Sequence, residues 1–160
     1  MKRSKSKILL IALLAGVAAV LGSCSKTQTL SVNTDSTGLA LRGFDAVAYF
    51  AVENAVKGDA KYEYVWKGAR WIFSSEENMK AFQANPDAYA PQFGGYCSFA
   101  VSEGYTANGD PEAWKVVDGK LYLNYNKQVK QKWEAEQSER IEKGKTNWKG
   151  FTTKKPEHKG

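Results

Sequence analysis

The chain has 160 residues, with 23 Lys and Arg against 17 Asp and Glu, one histidine and two cysteines. Four of the basic residues (Lys2, Arg3, Lys5, Lys7) crowd the N-terminus, so the remaining 19 to 17 balance excludes an electrostatic case for nucleic-acid binding. No Ser-His-Asp set, phosphate-binding loop or glycine-rich dinucleotide fingerprint is present, and the single His158 lies in the last few residues.

The chain opens MKRSKSK and continues ILLIALLAGVAAVLGSC. A basic start, an apolar run from Ile8 to Leu21 and small residues before Cys24 make the layout of a secretory signal. The run is shorter than the ~20 residues a spanning helix needs. Leu21-Gly22-Ser23-Cys24 resembles a bacterial lipobox. That resemblance implies removal of residues 1–23 and lipidation of Cys24, which makes the membrane a partner through an acyl anchor. An ordinary signal peptide cut nearby, or an uncleaved anchor, are the alternatives. Ser25, not Asp, follows the cysteine. In a Gram-negative envelope this implies the outer membrane, with the protein facing the periplasm. Residues 24–38, rich in Ser, Thr and Asn, read as a polar tether.

A single domain is expected over residues 39–150. DAVAYF (45–50) reads as a short strand, and KYEYVW and ARWIFSS (61–75) as a hairpin turning at Lys67-Gly68. Ser74 with Glu77 three residues on is a capping-box pattern for a following helix. Asn85-Pro86 ends that helix and starts a short helical turn. Pro91 and Gly94-Gly95 break the chain, and Cys97 to Ser102 has helical length. Asp110-Pro111-Glu112 looks like a helix or turn start with Asp as cap. VVDGKLYLNY (116–125) reads as a second hairpin, with Asp118-Gly119 suited to a two-residue type I′ turn. Residues 126–148 read as one long amphipathic helix with Val129, Trp133 and Ile141 inward, followed by a disordered tail over 151–160. No internal repeat is visible. The order predicts an α+β fold, a small antiparallel sheet of hairpins packed with helices. Residues 127–160 carry ten Lys/Arg against five Asp/Glu, read as a solvated helix face or as a surface for anionic lipid headgroups. Most of the twenty aromatic residues read as core; an open aromatic groove has no assignable position in the pattern.

At RGFDAVAYF, at WIFSSEENMKAFQANPDAYAPQFGGYCSFAVSEG and at DPEAWKVVDGKLYLNYN the sequence resembles the YHS-domain family, the last block extending the likeness to a longer exported subgroup. The resemblance covers roughly residues 39–148, with Ala46 where the subgroup usually has Pro. The wider family is similar to small heavy-metal-binding domains whose cysteines fall at Ala48, Ser74 and Asn78 of this chain. Alanine cannot ligate, and serine and asparagine are poor ligands for soft metals. The family's usual metal site is therefore not expected, and no confirmed cofactor follows; an atypical metal site stays open. The block G-G-Y-C is characteristic of the exported subgroup, some members of which resemble selenoproteins with selenocysteine in place of the cysteine. That implies chemistry at Cys97.

The residues themselves leave Cys97 open. With Cys24 acylated, Cys97 has no intramolecular partner. It is a buried structural thiol, a redox or ligand-binding thiol favoured by the first turn of a helix, or half of an intermolecular disulfide. Arg42 is the one cation that reads as able to approach it. Asp45 is either a turn cap or a ligand-binding carboxylate. The functional expectation is a lipid-anchored binding or accessory module for a small ligand, a metal or an envelope partner protein, more a binder than an enzyme. A thiol-based redox protein using Cys97 and a purely structural envelope lipoprotein are the alternatives.

Overall fold

The computed structural model describes residues 31–153. Cys24, the signal segment and His158 lie outside them. Strand β1 (Asp59–Trp66) pairs antiparallel with β2 (Ala69–Phe73), and β3 (Asp110–Val117) pairs with β4 (Lys120–Asn124). Both turns have two central residues at positive φ, Lys67-Gly68 (49° and 75°) and Asp118-Gly119 (50° and 70°), as a type I′ hairpin requires. The class is α+β, as expected, but the hairpins stay in two separate two-stranded sheets. A strand edge left open is covered by single bridges, Leu39 to Arg70 on β2 and Cys97 to Leu123 on β4.

Contrary to the sequence reading, the chain contains an internal repeat. Each hairpin is followed by a nine-residue helix, α2 (Glu76–Ala84) and α5 (Lys127–Ala135). Every strand and helix bound in the second unit lies 51 positions after its counterpart, from Asp59 and Asp110 to Ala84 and Ala135. The bulge recurs as well, between Asp59 and Glu63 and between Asp110 and Trp114. Upstream, with one extra residue of separation, a 3-10 turn at Leu41–Gly43 matches one at Gln92–Gly95. Phe44–Lys57 and Tyr96–Asn108 are equivalent bridges, and the Asp45 and Cys97 N–H groups donate to Val56 O and Ala107 O, both at 2.8 Å. Glycine recurs at Gly58 and Gly109, where a β-carbon would strike Ile72 and Leu123, themselves equivalent. The repeat escaped detection because the shared features are backbone turns and volumes; RGFDAVAY and GGYCSFAV keep little identity.

Helix α1 (Ala48–Ala51) replaces the strand expected over 45–50. Ala46, Val47, Ala48 and Tyr49 are all buried, so the alternation of a half-buried strand does not exist here. Asp45 accepts from the Val47 and Ala48 N–H groups and turns the chain into α1. Ser75, not Ser74, caps α2, accepting from the Asn78 N–H at 3.1 Å. Helix α3 (Pro86–Tyr89) starts at the expected proline, and α4 (Ser98–Ser102) begins after Cys97. Asp110 opens β3 and not a helix, its Oδ1 accepting from the Glu112 N–H.

The long C-terminal helix is broken. Helix α5, capped by Asn126, ends at Glu136 (φ −130°, ψ 35°), and α6 (Gln137–Thr153) follows. The break falls at the counterpart of Asn85, so α6 begins as the copy of α3 and then runs on. Trp133 and Ile141 point inward as expected, while Val129 is only half-buried. Residues 151–153 continue α6, and Phe151 packs on Trp148 with ring centroids 6.3 Å apart. Residues 31–38, read as tether, lie against the domain: Asn33 donates from N–H to Gly94 O (2.8 Å), and Thr34 bridges to Ala40.

Two aromatic clusters form the interior. Trp71, Phe73 and Phe82 centre the first, and Phe93, Tyr122 and Trp133 the second. Trp71–Phe82 (4.9 Å, 32°) and Tyr122–Trp133 (5.3 Å, 34°) are the same pair in the two units. On β4 the period of two sends Leu121 and Leu123 into the first cluster and Tyr122 into the second.

Candidate functional site

The carboxylate of Asp45 is fully buried and accepts five hydrogen bonds. Oδ1 takes the N–H groups of Val47 (2.8 Å) and Ala48 (3.3 Å). Oδ2 takes the Ser74 N–H (2.8 Å), the Ser74 hydroxyl (2.6 Å) and the Asn78 side-chain amide (2.7 Å). Sequence reasoning weighed Asp45 as turn cap or ligand residue; the structure gives it the cap and adds a junction between α1, the end of β2 and α2. Ala48, Ser74 and Asn78, where the wider family carries cysteines, thus converge on one carboxylate. They do not fit a soft metal: Ala48 offers only backbone, and both polar side chains donate to an acceptor already at capacity. Among the described residues, no three His, Cys, Asp or Glu side chains gather.

Cys97 occupies in the second unit the place Asp45 occupies in the first. Its thiol is buried, 1% exposed. It stands before α4, a helix of only five residues, and its side chain makes no capping hydrogen bond. The side-chain donors that serve Asp45 are not repeated: Ser74 becomes the exposed Tyr125 and Asn78 becomes Val129. Arg42 makes no hydrogen bond or ion pair with Asp45 or Cys97 among the described residues; its backbone carbonyl accepts from Lys57 instead. Beside Cys97, the buried Ser98 hydroxyl and the Asn124 side-chain nitrogen have no hydrogen-bond partner among the described residues, while Asn124 Oδ1 accepts from the Phe99 N–H. No sequence signal marks that pair.

The phenol of Tyr49 lies beside the Asp45 junction and donates to Pro111 O at 3.0 Å. Burial, then the charges of Asp110, Asp45 and Glu112, hold its pKa far above the ordinary tyrosine range. The protonated phenol is the form bound in the fold. An unfolded tyrosine ionises near pH ~10, so this contribution is complete below that pH and falls as pH rises through it. Tyr49→Phe is expected to lower stability by about 1 kcal/mol at neutral pH, from the lost hydrogen bond. It should also flatten the alkaline decline. Urea unfolding at a series of pH values from neutral to alkaline measures both.

The open aromatic groove that sequence could not place lies between the units and α6. It measures about 610 Å³ and is lined by Trp66, Trp71, Phe93 and Trp148, with Lys67, Lys145 and Lys149 on its rim. Residues Ser31 and Val32 form one wall. Gly94 (φ 61°) lets them pass: a β-carbon there would collide with the Ser31 carbonyl and lie 3.2 Å from Trp148. A second groove, about 420 Å³, is its copy in the repeat. There Trp66 becomes Val117, Lys67 becomes Asp118 and Asp87 becomes Ser138. The copies have diverged in charge and in aromatic lining.

A family model for the YHS domain matches residues 47–93. The match spans most of the first unit and ends where the second begins. No curated protein and no solved structure matches the chain.

Proposed function

This is a YHS domain-containing protein, and from that premise we propose that it is a lipid-anchored binding or accessory module of the cell envelope. The observation that carries this reading is the Asp45 junction. Where the wider family gathers cysteines, this chain closes the centre with a saturated carboxylate, and the copy offers Cys97, Ala100, Tyr125 and Val129. Both interiors serve as scaffold, and a polar and aromatic surface for a partner is offered by the groove at Trp66 and Trp148, beside a second groove at Tyr49 and Trp114 that carries more acids. The anchor rests on the lipobox-like Leu21-Gly22-Ser23-Cys24. Burial of Cys97 favours a structural thiol over a redox one, since reactive thiols need access as well as thiolate character.

The test uses the full chain made in a Gram-negative host and purified under reducing conditions. Mass spectrometry is expected to find a diacylglyceryl group on Cys24 and residues 1–23 removed. Metal analysis is expected to find no stoichiometric soft metal. An unmodified Cys24 overturns the anchor, and a stoichiometric metal lost in Cys97→Ser overturns the scaffold reading.

A further inference from the structure

We infer that the groove between Trp66 and Trp148 faces the bilayer and that its lysines take anionic phospholipid headgroups, an assignment that rests on the lipid anchor proposed above. The first argument is reach. Cys24 lies seven positions before Ser31, and seven extended residues span at most ~25 Å. Ser31 itself walls the groove, so an acylated Cys24 keeps this face within ~25 Å of the membrane.

The second argument is chemistry. Lys67 and Lys145 are half exposed, each bound to one surface carboxylate, Asp87 (3.1 Å) and Glu142 (2.7 Å). Lys149 has no carboxylate partner among the described residues, and α6 ends four residues later. From there the sequence continues with Lys154, Lys155 and Lys159 against one acid, Glu157. Thr152 also lines the groove, so both ends of the described chain leave from it. Trp66 and Trp148 are half-buried at its wall, and amphipathic indoles favour the headgroup level. Lysines near an anionic surface add attraction that falls off within a Debye length.

The third argument is the internal comparison. The same groove in the second unit shares Lys145 and adds Lys120, but Asp118 and Glu142 stand against these lysines, Tyr122 is its aromatic residue and Val117 replaces Trp66. It takes the same place in the repeat but does not lie beside Ser31. The indoles and the excess of lysines over acids therefore go with the face nearest the anchor and not with the repeat.

The experiment reconstitutes the acylated full chain in vesicles of phosphatidylcholine alone or mixed with phosphatidylglycerol, and measures quenching of tryptophan emission by headgroup-labelled lipid. Quenching is expected only with phosphatidylglycerol, to be partly lost in Trp148→Phe and mostly lost when Trp66→Phe is added, and to disappear at high salt. Lys145→Gln with Lys149→Gln should weaken this docked state by about thirtyfold. Equal quenching in both vesicles, or quenching indifferent to Trp148→Phe, overturns the assignment even when the protein floats with the vesicles after a high-salt wash. A chain that washes off with unmodified Cys24 overturns the anchor itself, and the headgroup assignment with it.

Discussion

Asp45→Ala is expected to cost more than about 4 kcal/mol, or to abolish folding. The change leaves five donors without this acceptor, the buried Val47 and Ala48 N–H groups at about 1–3 kcal/mol each when unsatisfied and three part-buried donors of Ser74 and Asn78 at less. A domain of this size holds only about 5–15 kcal/mol of net stability. Asp45→Asn separates the two sides of the junction. An amide oxygen at Oδ1 still serves Val47 and Ala48, but an NH₂ at Oδ2 faces the Ser74 N–H and the Asn78 amide, three donor groups in one place. Its cost should fall between the parent and the alanine variant. Urea unfolding reads both, as midpoints that move at constant slope. An alanine variant within about 1 kcal/mol of the parent would remove the junction from the account of the fold.

Trp133→Ala should cost about 3–5 kcal/mol, the usual range for a fully buried large aromatic. Trp133 fills the second cluster, in contact with Tyr122, at the place Phe82 holds in the first. Its indole N–H is buried without a partner among the described residues. Trp133→Phe therefore removes an unpaired donor together with some volume, and restores the residue the first unit uses at this place. Its cost should stay under about 1.5 kcal/mol. Thermal unfolding of the three proteins checks the order. A phenylalanine variant as damaged as the alanine variant would mean that the indole's shape, and not bulk, fills the site.

Much of this architecture was legible in the sequence because its signals are local. Lys67-Gly68 and Asp118-Gly119 demand a particular turn, Pro86 starts a helix, and the aromatic runs on either side of each turn pair as strands. What escaped was set by distant contacts. DAVAYF looks like a strand by propensity, but Asp45 accepts from its own following N–H groups and from Ser74 and Asn78, about thirty residues on, and the segment turns helical. The break at Glu136 has no proline to announce it, since Gln137 stands where α3 has Pro86. Asp45 and Cys97 were legible as prominent residues, while their equivalence was not, because one carries a carboxylate network and the other a thiol in an apolar setting. The Trp148 groove draws on residues from 31 to 152, a separation no pattern of period two or 3.6 records.

The sharing of β4 between the two aromatic clusters decides how the duplicated halves relate. Leu121 and Leu123 belong to the interior of the first half, so that half does not close its core by itself. Such a molecule melts as one cooperative body, not as two beads. A truncation after Ala90 would leave the first half with a gap where two leucines belong, so that half does not come away as a finished piece.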